Sequence, residues 1–247
     1  MCTVTVVPAR EMIRLACNRD ELRSRPAALS ARIQQSGLRR AILPVDPTSG
    51  GTWVAVNDAG LALTLLNVNS SNGSAATPTA PLSRGKIIPA LLHADTPLSA
   101  AFSALDLDPA QYAPFRLVLV NRREGVEVHS DGMRIRLVWR IGLTRPQLFT
   151  SSGLGDHAVE GPRRQLFGEY FDAPGDRLAQ QDAFHRHRWP ARPHLSVCMD
   201  RQDARTVSHT VVCLGPDRVT LTYHPDAPDR PAEAVTLTLP IAVGGVA

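Results

Sequence analysis

The sequence predicts an α+β domain with layered sheets, and three observations carry that prediction. Short runs of period-two alternation, separated by Gly, Asn, Asp and Pro turns, recur along the chain. Two stretches of helical spacing, within residues 83–105 and 161–186, interrupt them. The 247 residues are 43% hydrophobic, without internal repeat or linker, which suits a single domain over residues 1–247 with a sizeable core.

Taken in order, Thr3 to Val7 alternates as a half-buried strand, Pro8–Glu11 turns the chain, and Met12 to Cys17 returns antiparallel. A polar, arginine-rich loop is expected from Asn18 to Arg25, closed by Pro26. Asp46–Gly51 is a turn, and strands over residues 52–57 and 61–66 flank the tight turn Asp58-Ala59-Gly60. Asn69 to Pro81 is a loop rich in Ser, Asn, Thr and Pro, long enough to cover a site. Ser83 caps a helix through Ile87, Ile88, Leu91 and Leu92, and Pro97 starts another through Ala101, Phe102 and Leu105. Strands are expected at 116–121, 126–130 and 133–141, then one or two surface helices within 161–186. Further strands follow at 194–200, 205–214, 218–224 and 234–242.

Composition excludes several classes. No apolar run approaches the roughly 18 residues of a membrane span. The formal charge is +4, and 26 of the 27 basic residues are arginines scattered without a block, which argues against a nucleic-acid partner. Cys2, Cys17, Cys198 and Cys213 contain no CxxC pair and suit neither a disulfide framework nor structural zinc. The start lacks the basic and apolar regions of a secretory signal, and Arg14 and Glu11 spoil a lipoprotein reading of Leu15-Ala16-Cys17. The expected compartment is therefore cytoplasmic, with reduced thiols. His185-Arg186-His187-Arg188-Trp189 reads as a solvated polar connection rather than a metal or haem site. Ser208-His209 has no aspartate at a telling offset, and Gly50-Gly51 precedes a strand, unlike a phosphate loop. No metal or cofactor is expected.

Chemistry gathers at the chain start. Met1 before a small residue is normally removed, which leaves Cys2 with an α-amine of pKa about 7.7–8.0 beside a thiol of about 8.5. One residue then carries both a nucleophile and its base. A hairpin turning near residues 8–11 places residue 2 opposite residues 17–18, so Asn18-Arg19-Asp20 lands beside Cys2. An arginine there biases the thiol toward thiolate, and a carboxylate holds the amine.

Met1-Cys2-Thr3-Val4, Asn18-Arg19-Asp20-Glu21-Leu22 and the segment from Asp46 to Asn69 together resemble the NRDE family, also named for Transport and Golgi organisation protein 2. The resemblance is specific over residues 1–67 and continues at Ser83-Arg84-Gly85. It implies kinship with N-terminal-nucleophile hydrolases of the bile-salt hydrolase, penicillin V acylase and acid ceramidase group. The implied fold is a four-layer αββα sandwich of two antiparallel sheets, and the implied reaction is cysteine attack on a non-peptide amide. In that light Cys2 matches the nucleophile, Arg19 and Asp20 the Arg/Asp pair, Asn67 the oxyanion donor, and Arg205 the late arginine. Asn18, Asn69, Ser151 and Ser152 are the implied substrate contacts. Two departures stand out: the order is Asn18-Arg19-Asp20 where those hydrolases have Arg-Asn-x-Asp, and Ser151-Ser152 occupy the place of a second asparagine. The competing expectation, also from the resemblance, is a non-catalytic carrier of haem, lipid or acyl-CoA.

Overall fold

The computed structural model describes residues 2–69 and 80–242. Thirteen strands and four α-helices follow one another along these residues. The first six strands are β1 (Cys2–Ala9), β2 (Met12–Leu22), β3 (Leu29–Ser36), β4 (Arg39–Val45), β5 (Val54–Asn57) and β6 (Ala62–Asn67). Helices α1 (Ile87–Leu91) and α2 (Pro97–Leu105) precede β7 (Phe115–Val120), β8 (Glu124–Ser130), β9 (Ile135–Gly142) and β10 (Gln147–Thr150). Then come α3 (Asp156–Phe171), α4 (Arg177–Arg186), β11 (Ala204–Leu214), β12 (Arg218–His224) and β13 (Val235–Pro240).

Two antiparallel sheets result, in the orders β10-β1-β2-β11-β12-β13 and β3-β4-β5-β6-β7-β8-β9. They face each other across a core in which Val4, Val6, Leu15 and Cys17 of one sheet meet Ile42, Val54, Val56 and Val118 of the other. The outer face of the seven-stranded sheet buries Leu43, Leu63, Leu117 and Leu119 against Ile88, Leu91, Ala101 and Ala104 of α1 and α2. On the far side, α3 and α4 cover the six-stranded sheet, where Leu166 and Phe184 meet Leu148. The layers therefore run α-β-β-α, as the resemblance implies. Pro97 does start α2, behind a capping box between Thr96 and Ser99.

Several expectations need correction. The chain from Asn18 to Leu22 is not a loop but the end of β2, because β11 pairs with it as far as Leu22. The β1–β2 turn is the two residues Arg10 and Glu11, with Arg10 at φ 42°, so Cys2 lies opposite Arg19 and not opposite residues 17–18. Strands β3 and β4 form a hairpin in a segment where no strand was expected. β3 is a sheet edge whose residues are mostly exposed, so its sequence carries no apolar alternation. Residues 194–200 form turns, not a strand. Their apolar side chains are buried because Arg163 of α3 holds the Leu195 and Ser196 carbonyls, at 2.9 and 2.7 Å. Most of the long loop expected over 69–81 lies outside the described residues.

Between the six-stranded sheet and its helices lies a buried polar layer. His185, expected in a solvated stretch, is fully buried at the end of α4. The Asn18 amide donates to the His185 and Val197 carbonyls, at 2.9 and 3.0 Å. Its oxygen faces Nδ1 of both His185 and His209, at 3.0 and 2.8 Å, so each ring is a neutral tautomer with its proton on Nδ1. Nε2 of His185 then accepts from the Thr5 hydroxyl at 2.7 Å. Burial holds His185 well below the usual histidine range and pushes His209 down to about 3.

Groups buried neutral and titrating far below 6.5 stabilise the fold fully above that pH, and the stability falls as pH drops toward about 3. The urea midpoint should therefore decline between pH 6.5 and 5, and His209→Gln should flatten that decline; an unchanged slope would contradict the assignment. Asn18→Leu, which strands both rings and two carbonyls, should cost roughly 3 kcal/mol or more in equilibrium unfolding.

Candidate active site

Period-two alternation directs the start of β1 and the end of β2 into the space between the sheets. Cys2 faces Arg19 across the hairpin, and Cys17, opposite Val4, shares their side of the sheet. Where the two sheets diverge, a cavity of about 430 Å³ opens, and Cys2, Arg19 and Asn67 all line it. A larger open cleft of about 1420 Å³ surrounds the β1–β2 turn and the start of α4, and none of the expected site residues reaches it.

The cavity wall is built around Asp46. Its turn closes through hydrogen bonds from Asp46 N to Gly51 O (2.8 Å) and from Gly50 N to Asp46 O (2.7 Å). One carboxylate oxygen accepts from Thr48 N at 2.9 Å; the other accepts from Arg19 at 2.6 Å and from Arg25 at 2.8 Å. Burial alone would raise the Asp46 carboxyl, but Arg25 and Arg19 overcome it and hold the group below the usual carboxylate range. The Arg19 guanidinium also stacks on Trp53, 4.3 Å from the ring centre. A second wall, Ser83–Lys86, docks on the first where Thr52 N donates to Gly85 O at 2.9 Å. The approach is so close that a Cβ at Gly51 would collide with the Gly85 backbone.

Within this frame the Cys2 thiol is held below its ordinary pKa. The Cys17 thiol beside it is the main cause and Arg19 a lesser one, both working against burial. Cys17 itself is held well above the usual thiol range, chiefly by the same pairing and by burial. Cys2 N donates to Ser151 Oγ at 3.1 Å, and Ser151 N donates to Cys2 O at 2.9 Å. Asn67, at the end of β6, makes no side-chain hydrogen bond among the described residues, leaving its amide available to the cavity.

The other expected residues are placed differently. Asp20 does not line the cavity; it is buried, accepts from Thr206 Oγ1 at 2.6 Å, and burial raises its carboxyl. Asn18 belongs to the polar layer under α4. Asn69 and Ser152 are tied to the start of α3, where the Asp156 carboxylate accepts from Asn69 N at 3.3 Å and from Ser152 N at 2.8 Å. Arg205 is paired with Asp226 at 2.5 Å and lines a smaller pocket of about 110 Å³, which also touches Arg19, Glu21 and Arg25. Only Ser151 of the expected substrate contacts touches Cys2. Sequence reasoning missed Cys17, Glu21, Arg25, Asp46, Trp53 and Arg84 as parts of one site. The signal for Asp46, Trp53 and Arg84 lay in the segments 46–69 and 83–85, but no spacing rule joins those segments to the end of β2 that carries Cys17 and Glu21.

A depressed thiol, a free amide donor and a fixed main-chain nitrogen around one cavity are the components of acyl transfer. Among the described residues no cluster of His, Cys, Asp and Glu forms a metal site, and no helix is long and apolar enough to cross a membrane.

A family model described as Transport and Golgi organisation 2 matches residues 1–142. No curated protein matches the sequence. Among solved structures, a Caenorhabditis elegans ortholog of N-acylethanolamine-hydrolyzing acid amidase is similar at TM-score 0.56 and 12% identity, over 85% of this chain and 92% of that one. Two mutants of the conjugated bile acid hydrolase from Clostridium perfringens are similar at TM-scores 0.52 and 0.54, each at 10% identity over 96% of this chain and 92% of theirs. The shared feature is the fold.

Two outcomes follow from the geometry. Limiting iodoacetamide at neutral pH should label Cys2 ahead of Cys17, Cys198 and Cys213, read by peptide mass mapping; equal labelling would contradict the depressed thiol. Gly51→Ala should separate the two walls and lower stability by about 1–3 kcal/mol in denaturant unfolding.

Proposed function

Since the chain belongs to the Transport and Golgi organisation 2 family, we propose that it is a cysteine amidohydrolase of the N-terminal-nucleophile type, acting on a non-peptide acyl amide. The observation that carries the proposal is the shared cavity of Cys2, Arg19 and Asn67.

With Met1 removed, the Cys2 nitrogen becomes an α-amine, and Ser151 Oγ is already placed to hold it. The amine takes the thiol proton and the sulfur attacks the amide carbonyl. The Asn67 amide donates to the developing oxyanion, and the ammonium returns its proton to the departing amine. Water, deprotonated by the same amine, then hydrolyses the thioester to release the acid. Arg19 supports the thiolate electrostatically; anchored by Asp46 and Trp53, it acts as a fixed charge. The field between Asp20 and the amino terminus keeps Asp20 as the group that orients the amine, with Ser151 Oγ beside it. That contact also gives a purpose to the serine that replaces the expected asparagine.

The other reading, a carrier of haem, lipid or acyl-CoA, fits the lining less well. Arg19, Arg25, Arg84, Glu21 and Asp46 put charge on most sides of a small cavity, where a largely apolar ligand would desolvate them.

Intact mass of the purified protein should lack Met1. Acyl-amide hydrolysis should disappear in Cys2→Ala, and Asn67→Ala should lower kcat by about 10²–10³. Retained Met1, or turnover unaffected by Cys2→Ala, would sink the mechanism.

A further inference from the structure

The cavity is lined by more arginines than carboxylates. Three arginines, Arg19, Arg25 and Arg84, share its lining with two acids, Glu21 and Asp46. Arg19 and Arg25 are both within ion-pair distance of both acids, at 2.6–3.6 Å. Arg84 has no acid partner among the described residues. Its one hydrogen bond there is from Nη1 to the Pro114 carbonyl, at 2.8 Å. That bond, with the docking of Gly85 on Thr52, fixes the side chain and leaves the remaining guanidinium N–H groups unspent.

Burial lowers the Arg84 pKa, while the fields of Glu21 and Cys2 oppose the shift. An arginine stays charged all the same, and a half-buried guanidinium with no acid in ion-pair distance among the described residues offers its free N–H groups to an anion. The fork geometry of a guanidinium matches a carboxylate with two parallel hydrogen bonds. Cys2 lies in the same cavity of about 430 Å³, so the anion and the scissile carbonyl must belong to one compact molecule.

We propose that Arg84 is the substrate's carboxylate receptor, and that the preferred substrates are acyl amides carrying a carboxylate within a few bonds of the scissile amide, as in N-acyl amino acids. This assignment rests on the amidohydrolase reading for its chemistry but not for its binding. A neutral acyl amide would leave those Arg84 N–H groups unfilled and bind more weakly. The interaction is made equally in ground and transition states, so its loss raises KM and leaves kcat nearly unchanged.

The test compares N-octanoylglycine with its neutral counterpart N-octanoylglycinamide, by calorimetric binding and by turnover. The wild-type protein should bind the acid at least tenfold more tightly and show the preference in KM. Arg84→Gln should erase the preference, and Arg84→Lys should retain part of it. Thermal melting of both variants checks that the fold is kept. Equal affinity for the two probes, no binding of the acid, or an equal fall in kcat on both probes in Arg84→Gln would overturn the assignment. The last result would place Arg84 on the sulfur or the oxyanion. A binding preference without turnover would leave the anion receptor standing and remove the hydrolase; turnover without a preference would do the reverse.

Discussion

The whole arrangement depends on the register of one hairpin. Two turn residues, Arg10 and Glu11, set Cys2 opposite Arg19 and Thr3 opposite Asn18. Side chains alternate along a strand, so this register sends Cys2, Cys17 and Arg19 between the sheets and Thr3, Thr5 and Asn18 toward the helices. A slip of one residue on either strand would exchange the two sets. Asn18 would then meet the apolar core, and Cys2 would be lost in the polar layer. The Asn18–His185–His209 bonds on one side and the Arg19–Asp46 pair on the other each penalise that slip. The polar layer is thus part of the machinery that aims the thiol, although none of it reaches the cavity.

Charge compensation shapes the cavity as strongly as packing does. Asp46 is the hub: its turn is closed by its own backbone and by the Thr48 amide, and its free oxygen joins arginines from the end of β2 and from the loop beyond. Arg19 is held on three sides, by Asp46, Glu21 and the face of Trp53. A cation anchored this way keeps its position when charge develops nearby, which is the condition for electrostatic preorganisation. Inside the cavity, Arg19 and Arg25 are matched to Asp46 and Glu21, while Arg84 has no acid within ion-pair distance among the described residues.

How much was legible in the sequence follows from the range of each interaction. The β1–β2 hairpin, α2 behind Pro97, and the strand ending at Asn67 rest on local patterns and could be placed from them. The edge strand β3 could not, because an exposed edge has no buried face to write an alternation into the sequence. Residues 194–200 imitate a strand because they are buried, yet their backbone is tied to Arg163 rather than to a neighbouring strand. At the site, Cys2 and Arg19 were joined by a hairpin and Asn67 by resemblance. Ser151 reached Cys2 through the pairing of β1 with β10, a contact across 149 residues that no spacing could foretell. Asn18 faces away from the cavity because a strand of period two cannot present consecutive residues to the same side.

The most direct test of the account is to trap the acyl intermediate. Protein mixed with an N-acyl amino acid, quenched in acid within the first turnovers and digested, should yield the N-terminal peptide beginning at Cys2 and heavier by the acyl group. The adduct should be labile to hydroxylamine, as a thioester is. An N-terminal peptide that stays unmodified while the amide is consumed, or an adduct found only on Cys17, Cys198 or Cys213, would contradict Cys2 as the nucleophile.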